Sequence, residues 1–286
     1  MTDYGIRDDI EILIELKNLT VQELAMEVGV SRATVQRWLK DDTMISAAHR
    51  DRLYDYAFQN KINLNRIKEQ LFREDYTDND HIVLFHGAKT EITGALSLQY
   101  ARKNNDFGQG FYCGENFEQS AMFVSNFPKS SVYILCFQKK DLNMKQYRVD
   151  QDWMLTIAYF RGRLGEYANK PMIQDMIETL KNIDYVIAPI ADNRMFEIID
   201  SFIDGEITDV QCQHLLSATD LGYQYVCLSQ RALDNIRILR HCYLSPAEKT
   251  YYLEARQQAS ALGRDKVRVA RRQYRGQGRY IEEILV

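Results

Sequence analysis

Apolar residues recur at helical spacing through the first sixty positions of the chain. The spacing predicts four helices, over 8–18, 21–28, 32–40 and from 46 to about 60. Thr20 is followed three residues later by Glu23, the pattern of a capping box, while Gly29 supplies a turn and Ser31 is suited to cap the third helix. Residues 1–60 are therefore predicted to form a small all-α domain.

The second and third of these helices have the pattern of a helix-turn-helix, whose second helix offers outward residues to the DNA major groove. The run Ser31-Arg32-Ala33-Thr34-Val35-Gln36-Arg37-Trp38-Leu39 resembles the recognition helix of the bacterial helix-turn-helix module. The resemblance makes Arg32, Thr34, Gln36 and Arg37 the predicted DNA contacts, with Gln36 able to pair with adenine. Residues 1–70 hold ten basic and twelve acidic side chains, so dimerisation or partner docking is the alternative use of this module.

The pattern changes after a polar stretch, 61–80, which is predicted to be a linker. Strand-like runs follow at 81–85, 132–137, 185–189 and 223–228, and helical segments lie between them. This alternation predicts an α+β chain with a mixed domain over 81–244. A helical tail is predicted over 245–286.

Composition narrows the class of protein. The chain has 286 residues, of which 45% are hydrophobic and 27% charged, and no apolar run approaches the roughly 20 residues of a membrane-spanning helix. The first ten residues carry acids instead of a basic and apolar leader, which favours a cytoplasmic protein with no membrane partner. The five cysteines are scattered without metal-ligand spacing, so buried thiols are expected and no metal is predicted.

Charge is unevenly distributed along the chain. The net charge is −4, yet residues 264–279 contain seven basic side chains and one acid. Such a segment fits a solvated helix face, a nucleic-acid contact or a clamp on an acidic partner.

One group of residues in the middle of the chain is typical of a nucleotide site. An apolar strand, 83–87, ends in His-Gly, and a Gly-x-Gly turn follows at 107–112 with Ser120 and Phe123 at fixed distances beyond it. Glycine tolerates positive φ and has no Cβ, so Gly110 lets the backbone approach a ligand closely. The sequence shows no Walker-type loop, Gly-x-Ser-x-Gly elbow or His-Glu-x-x-His.

These motifs resemble the His-Tyr-Glu class of the ADP-ribosyltransferase superfamily, to which poly(ADP-ribose) polymerases and diphtheria toxin belong. The resemblance covers 81 to about 240 and implies a split antiparallel sheet. It implies that His86 bonds a ribose hydroxyl of NAD, that Gly87 and Ser120 hold the carboxamide, and that Tyr112 and Phe123 enclose the nicotinamide. The alternatives are that Tyr112 and Phe123 are core aromatics and Ser120 faces solvent.

The third motif departs from the family pattern. Gln224 stands where the family has the glutamate that stabilises the oxocarbenium-like transition state, so the implied catalytic set is His86, Tyr112 and Gln224. Gln224→Glu is expected to raise NAD hydrolysis by restoring charge. Asp192 and Glu115 are the other candidate carboxylates, with helix capping as the alternative for Asp192.

Arg161 and Arg163, which flank Gly162, are predicted to hold the dinucleotide pyrophosphate; the alternative is a basic helix terminus that interacts with its own dipole.

The resemblance implies a mono-ADP-ribosyltransferase that uses NAD as a substrate. Its acceptor would be a protein or a nucleic acid, and its setting a bacterial or phage-related toxin or defence effector with an antitoxin. DNA and a second copy of the chain are further candidate partners. The rivals are a non-catalytic NAD or ADP-ribose sensor, since Gln224 is compatible with a pseudoenzyme, and a transcription regulator whose C-terminal domain dimerises.

Overall fold

The secondary structure is mixed, with helices at both ends of the chain. A computed structural model describes residues 4–218 and 222–285, and the side chains of Asn193 and 259–266 lie outside that description. The helices of the described residues are α1 Ile6–Lys17, α2 Val21–Val28, α3 Arg32–Lys40, α4 Ala47–Gln59, α5 Leu64–Tyr76, α6 Phe117–Val124, α7 Gln151–Phe160, α8 Pro171–Glu178, α9 Asn193–Ile203, α10 Asp209–Ser217, α11 Gln230–Asp234, α12 Pro246–Gln273 and α13 Ile281–Ile284. The strands are β1 His81–Ala88, β2 Phe111–Gly114, β3 Ser131–Gln138, β4 Met144–Gln146, β5 Tyr185–Pro189, β6 Tyr223–Cys227 and β7 Ile236–Cys242.

The chain divides into two compact units, each assembled from three separate stretches. Unit 1 comprises Met1–Thr93, Asn116–Gln138 and Ile236–Arg256, and unit 2 comprises Gly94–Glu115, Lys139–Asn235 and Gln257–Val286. The predicted boundaries at 60, 80 and 244 do not follow this division. The reason is that α1 to α5 share unit 1 with strands β1, β3 and β7.

The N-terminal helices begin and end as the sequence predicts. The Thr20 hydroxyl accepts from Glu23 N at 3.2 Å and the Glu23 carboxylate accepts from Thr20 N at 2.7 Å, which confirms the capping box. Gly29 ends α2 with φ 73°, and the Ser31 side chain caps α3 by accepting from Thr34 N. Their apolar faces enclose one core, formed by Ile10, Leu13, Leu24, Val28, Val35, Trp38, Leu53 and Tyr54.

The linker predicted over 61–80 is wrong, because most of it forms helix α5. The inner face of α5 is polar: Asn65, Lys68 and Glu69 are all buried. Lys68 Nζ lies 2.7 Å from Asp9 Oδ2, so a residue of α1 neutralises the buried ammonium. This helix is part of the N-terminal core and not a spacer.

The strands of unit 1 are antiparallel and lie in the order β1-β3-β7. His86 of β1 stands opposite Tyr133, and Val132 of β3 stands opposite Cys242. Helix α6 packs against them. The core between them is formed by Val83, Phe85, Phe117, Ala121, Val124, Val132, Ile134, Leu244 and Tyr252.

The described residues of unit 2 form four strands in the order β4-β5-β6-β2. The β4–β5 pair is parallel and the other pairs are antiparallel, with Tyr112 of β2 opposite Val226 and Gly114 opposite Gln224. The buried core of unit 2 includes Phe107, Tyr147, Trp153, Leu155, Ile157, Val186, Met195, Ile199, Phe202, Leu215 and Val226.

The described residues therefore confirm the mixed α+β class with N-terminal helices, and they form seven mostly antiparallel strands. The long helix α12 confirms the predicted helical tail. Strands β2, β4 and β7 and helix α11 had no counterpart among the elements expected from the sequence.

Candidate functional site

The His-Gly pair at the end of β1 is shaped by helix α6. A Cβ on Gly87 would lie 2.5 Å from the Ser120 carbonyl oxygen and 2.9 Å from Val124 Cγ1, so only glycine fits beneath this helix. His86 is half-buried on the same strand. Packing within unit 1 is thus sufficient to require the glycine.

The two α6 residues at fixed distances from Tyr112 have different environments. Ser120 is buried and its hydroxyl donates to the Phe85 carbonyl at 3.0 Å, so the alternative that it faces solvent is wrong. Phe123 is 59% exposed, which excludes the alternative of a core aromatic. The carboxamide and nicotinamide roles of these residues, and the NAD roles of His86 and Gly87, stay predictions.

In unit 2 the Gly-x-Gly turn is closed by the tyrosine that follows it. The Tyr112 hydroxyl accepts from Phe107 N and donates to the Gly108 carbonyl, both at 3.0 Å, and Gly108 has φ 70°. A Cβ on Gly110 would lie 2.7 Å from Val226 Cγ1, so this glycine permits close contact with β6. Burial raises the pKa of the Tyr112 hydroxyl, so this hydroxyl stays protonated at neutral pH.

Gln224 on β6 is paired with a carboxylate. It is 7% exposed, and its Nε2 donates to Asp106 Oδ2 at 3.0 Å and to the Pro189 carbonyl at 3.2 Å. Asp106 is 5% exposed, and its Oδ1 accepts from Arg161 Nη2 at 2.7 Å. The Asp106 carboxylate and the Arg161 guanidinium also shift the pKa of Tyr112, in opposite directions. Unit 2 therefore brings together three of the predicted site residues, Tyr112, Arg161 and Gln224, around an aspartate that the sequence argument missed.

Asp106 had one signal in the sequence. It directly precedes Phe107 and the Gly-x-Gly turn, so it lies where a ligand-binding turn begins.

Arg161 has an internal partner in addition to its place at a helix end. It is the C-terminal cap of α7, and its guanidinium stacks on the Phe196 ring with Cζ 3.9 Å from the ring centre. The ion pair with Asp106 holds the same guanidinium. The predicted pyrophosphate role of Arg161 thus competes with a structural role beside Gln224.

The other two candidate carboxylates bind backbone amides. Asp192 caps α9, because its Oδ1 accepts from Arg194 N and Met195 N at 3.0 Å each, which confirms the capping alternative. Glu115 Oε2 accepts from Tyr223 N at 3.0 Å.

Helix α3 presents the predicted DNA contacts on its outer face. Arg32, Gln36 and Arg37 are exposed, and Thr34 is half-buried with its hydroxyl accepting from Arg37 Nη2 at 3.3 Å. The opposite face of α3, with Trp38, is buried in the helical core. An exposed polar face on a helix held by its apolar face is the arrangement of a recognition helix.

The basic segment continues along α12 and beyond it. Arg264 and Lys266 fall among the side chains outside the description. The described arginines of the segment are all exposed: Arg268, Arg271, Arg272, Arg275 and Arg279. Arg271 lies 3.5 Å from Glu206, a surface pair that contributes little.

Two further observations bear on the composition argument. All five cysteines are buried thiols, as expected. Across the part of the chain that the structure describes, no helix combines the length and apolarity that crossing a bilayer requires.

Comparison with known families places both parts of the chain. A family model described as Helix-turn-helix matches residues 10–49, so the N-terminal helices belong to a class of fold that indicates DNA binding. A second model, described as Protein of unknown function (DUF3990), matches residues 82–238. Because this match spans more than half of the chain, the protein belongs to the DUF3990 family. No curated protein and no solved structure matches the chain.

Proposed function

We propose that this protein is an NAD-dependent mono-ADP-ribosyltransferase joined to a DNA-binding helix-turn-helix. The observation that carries the proposal lies in unit 2, where a turn closed by Tyr112 belongs to the same unit as the buried Gln224–Asp106–Arg161 cluster. An aromatic ring held at a fixed turn can stack on the nicotinamide ring, and the polar cluster can form hydrogen bonds to the hydroxyls of the adjacent ribose.

The reaction breaks the bond between C1′ of the ribose and the nicotinamide nitrogen. The bonding electron pair goes to the ring nitrogen and neutralises its positive charge, leaving oxocarbenium character at C1′. A lone pair of the acceptor then forms the new bond to C1′, and the acceptor releases a proton. Water as acceptor gives free ADP-ribose, whereas a protein or nucleic acid gives the modified product.

Two assays test the proposal. Binding to the folded state should raise the free energy of unfolding by about 2.7 kcal/mol at a hundredfold excess of NAD over its dissociation constant. Tyr112→Ala should lose this stabilisation, whereas Tyr112→Phe, which keeps the ring, should retain most of it. No NAD-dependent stabilisation of the wild type at millimolar ligand would refute NAD binding.

Turnover separates an enzyme from a sensor. NAD labelled in the ADP-ribose moiety, incubated with the protein and with candidate acceptors, should yield free nicotinamide and label in the protein, DNA or RNA fraction. Binding without nicotinamide release would instead identify a non-catalytic NAD sensor. A toxin or defence role further predicts that expression slows bacterial growth, and that Gln224→Ala relieves this effect.

A DNA-binding regulator is the second candidate function, favoured by the helix-turn-helix match and the exposed face of α3. Selection from a random duplex pool should then enrich a sequence, and Gln36→Ala should relax preference at one base pair by about 1–3 kcal/mol. Equal enrichment by a variant lacking Arg32, Gln36 and Arg37 would exclude α3 as the reading helix.

A further inference from the structure

The amide of Gln224 has both of its hydrogens committed. Nε2 donates to Asp106 Oδ2 and to the Pro189 carbonyl, and an amide nitrogen has two hydrogens to give. The two acceptors fix which way the amide is turned. A ligand hydroxyl approaching Gln224 can therefore be met only by the amide oxygen, acting as an acceptor.

The acceptor Asp106 is itself held in place. It is 5% exposed, and Arg161 Nη2 binds its second oxygen at 2.7 Å. The Arg161 side chain is 32% exposed and stacks on Phe196, so the carboxylate is bounded by an immobilised cation on one side and by the Gln224 amide on the other. A hydrogen bond from an amide to a carboxylate is stronger than one between neutral groups and polarises the amide.

We infer that Asp106 is a positioning residue for NAD cleavage, which supplies through Gln224 the negative charge expected of the missing glutamate. The Gln224 oxygen would accept the ribose 2′-hydroxyl, and the Asp106 carboxylate would increase the electron density on that oxygen. As the glycosidic electron pair leaves with nicotinamide, the positive charge growing on the ribose is stabilised by this pair. The inference rests on the proposed function and names the residues that support its chemistry.

The geometry reverses the effect expected for Gln224→Glu. A carboxylate at position 224 would face the Asp106 carboxylate and the Pro189 carbonyl, three acceptors with no proton between them. Two carboxylates at about 3 Å cannot both ionise, so the pair must take up a proton or separate. The substitution should therefore lower activity, although charge restoration alone predicts an increase.

The test compares nicotinamide release by the wild type, Gln224→Glu, Asp106→Asn and the double variant carrying both. Each single change should lower kcat about 10²- to 10³-fold, the loss typical of one electrostatic contact to a transition state. The double variant moves the carboxylate to position 224 and gives it an amide donor at 106, so its kcat should recover to within about tenfold of the wild type.

A matched control is Asp184→Asn. Asp184 is also a buried aspartate of unit 2, 7% exposed, and it pairs with Arg231 at 3.4 Å. The Asp184→Asn variant should lose stability as Asp106→Asn does but keep the wild-type kcat. This comparison distinguishes a loss of activity caused by misplacing Gln224 from one caused by a less stable fold.

The pH profile gives a second readout. In Gln224→Glu the acid pair regains a shared proton as the pH falls, so kcat of this variant relative to the wild type should rise toward acid pH. If Asp106→Asn does not fold, the comparison of Gln224→Glu with Gln224→Ala decides, because the inference requires the glutamate to be no better than alanine at neutral pH.

The outcomes are distinct for the two proposals. Absence of nicotinamide release by the wild type overturns the proposed function and this inference with it. If the wild type does release nicotinamide, three results would each overturn only the role of Asp106. They are a Gln224→Glu variant more active than the wild type, an Asp106→Asn variant with undiminished activity, and a double variant no more active than the single variants.

Discussion

The buried ion pair between α1 and α5 offers the sharpest test of how unit 1 is held together. Lys68 Nζ lies 2.7 Å from Asp9 Oδ2, and the two side chains are 5% and 1% exposed. The Tyr54 hydroxyl donates to the same carboxylate oxygen, while Asp9 Oδ1 is buried without a hydrogen-bond partner. Burial lowers the pKa of Lys68, but Asp9, Cys242 and Glu248 together raise it by more, so the net pKa is raised and the ammonium is charged.

Lys68→Met should cost about 3–5 kcal/mol. The methionine keeps the apolar stem, so the loss comes from leaving the Asp9 carboxylate buried and unpaired. Adding Asp9→Asn removes the orphaned charge and keeps an acceptor for Tyr54. The double variant should therefore recover most of the loss, to within about 1–2 kcal/mol of the wild type.

Each unit holds one of the two tryptophans, which permits a unit-specific assay. Trp38 is buried in the helical core of unit 1 and Trp153 in the core of unit 2. In a Trp153→Phe background, urea unfolding followed by fluorescence reports on unit 1, and the midpoint shift gives the free-energy change.

The control is Arg7→Met, which breaks an exposed pair with Asp8 in the same unit, whose side chains are 58% and 47% accessible. It should change stability by less than about 0.5 kcal/mol. A Lys68→Met loss no larger than that of this control, or no recovery in the double variant, would refute the buried-pair argument.

Three further predictions follow from other parts of the chain. Burial raises the pKa of Glu248 to about 7 from an ordinary 4.5. Between these pH values the folded state binds more protons than the unfolded state, so the free energy of unfolding falls as pH rises. Urea unfolding of Glu248→Gln should show up to about 3 kcal/mol less of this decline between pH 5 and 8. Tyr112→Phe should destabilise unit 2 by about 1–3 kcal/mol in thermal or urea unfolding, because Phe107 N and the Gly108 carbonyl lose their shared partner; an unchanged midpoint would contradict this. If the basic segment contacts nucleic acid, replacing four of its exposed arginines with glutamine should reduce the slope of log affinity against log salt concentration by about 0.9 per lost contact on duplex DNA, or about 0.7 on a single strand. The four are Arg268, Arg271, Arg272 and Arg275. An unchanged slope would indicate a solvated helix face.

Structure that depends on near neighbours could be predicted from the sequence. The capping box of Thr20 and Glu23, the turn at Gly29 and the cap at Asp192 all join groups two to four residues apart, so the residue types themselves state the contact. For the same reason the bounds of α2 and α3 match the prediction residue for residue.

Helix α5 was missed because its buried face is polar. A helix is normally recognised in a sequence by apolar residues at helical spacing on its buried face, and here Asn65 and Lys68 occupy two of those buried positions. Their burial is tolerable only because distant groups satisfy them: Asn65 binds Glu248, and Lys68 binds Asp9. Those partners lie 183 and 59 residues away in the chain, so the pattern of neighbouring residues cannot predict these contacts.

The candidate site divides in the same way. Gln224 was identified through the family resemblance, and the turn around Gly108 and Tyr112 was recognisable because glycine and aromatic residues at fixed spacing are typical of a ligand-binding turn. The partner of Gln224 was not, because Asp106 is 118 residues away and meets it only when β6 and the turn before β2 come together. Sequence alone therefore identified the candidate residues of a nucleotide site, whose role stays a prediction. The tertiary structure decided that Gln224 is paired with a buried carboxylate, since the cost of burying Asp106 is offset only by the amide and the guanidinium that the fold brings to it.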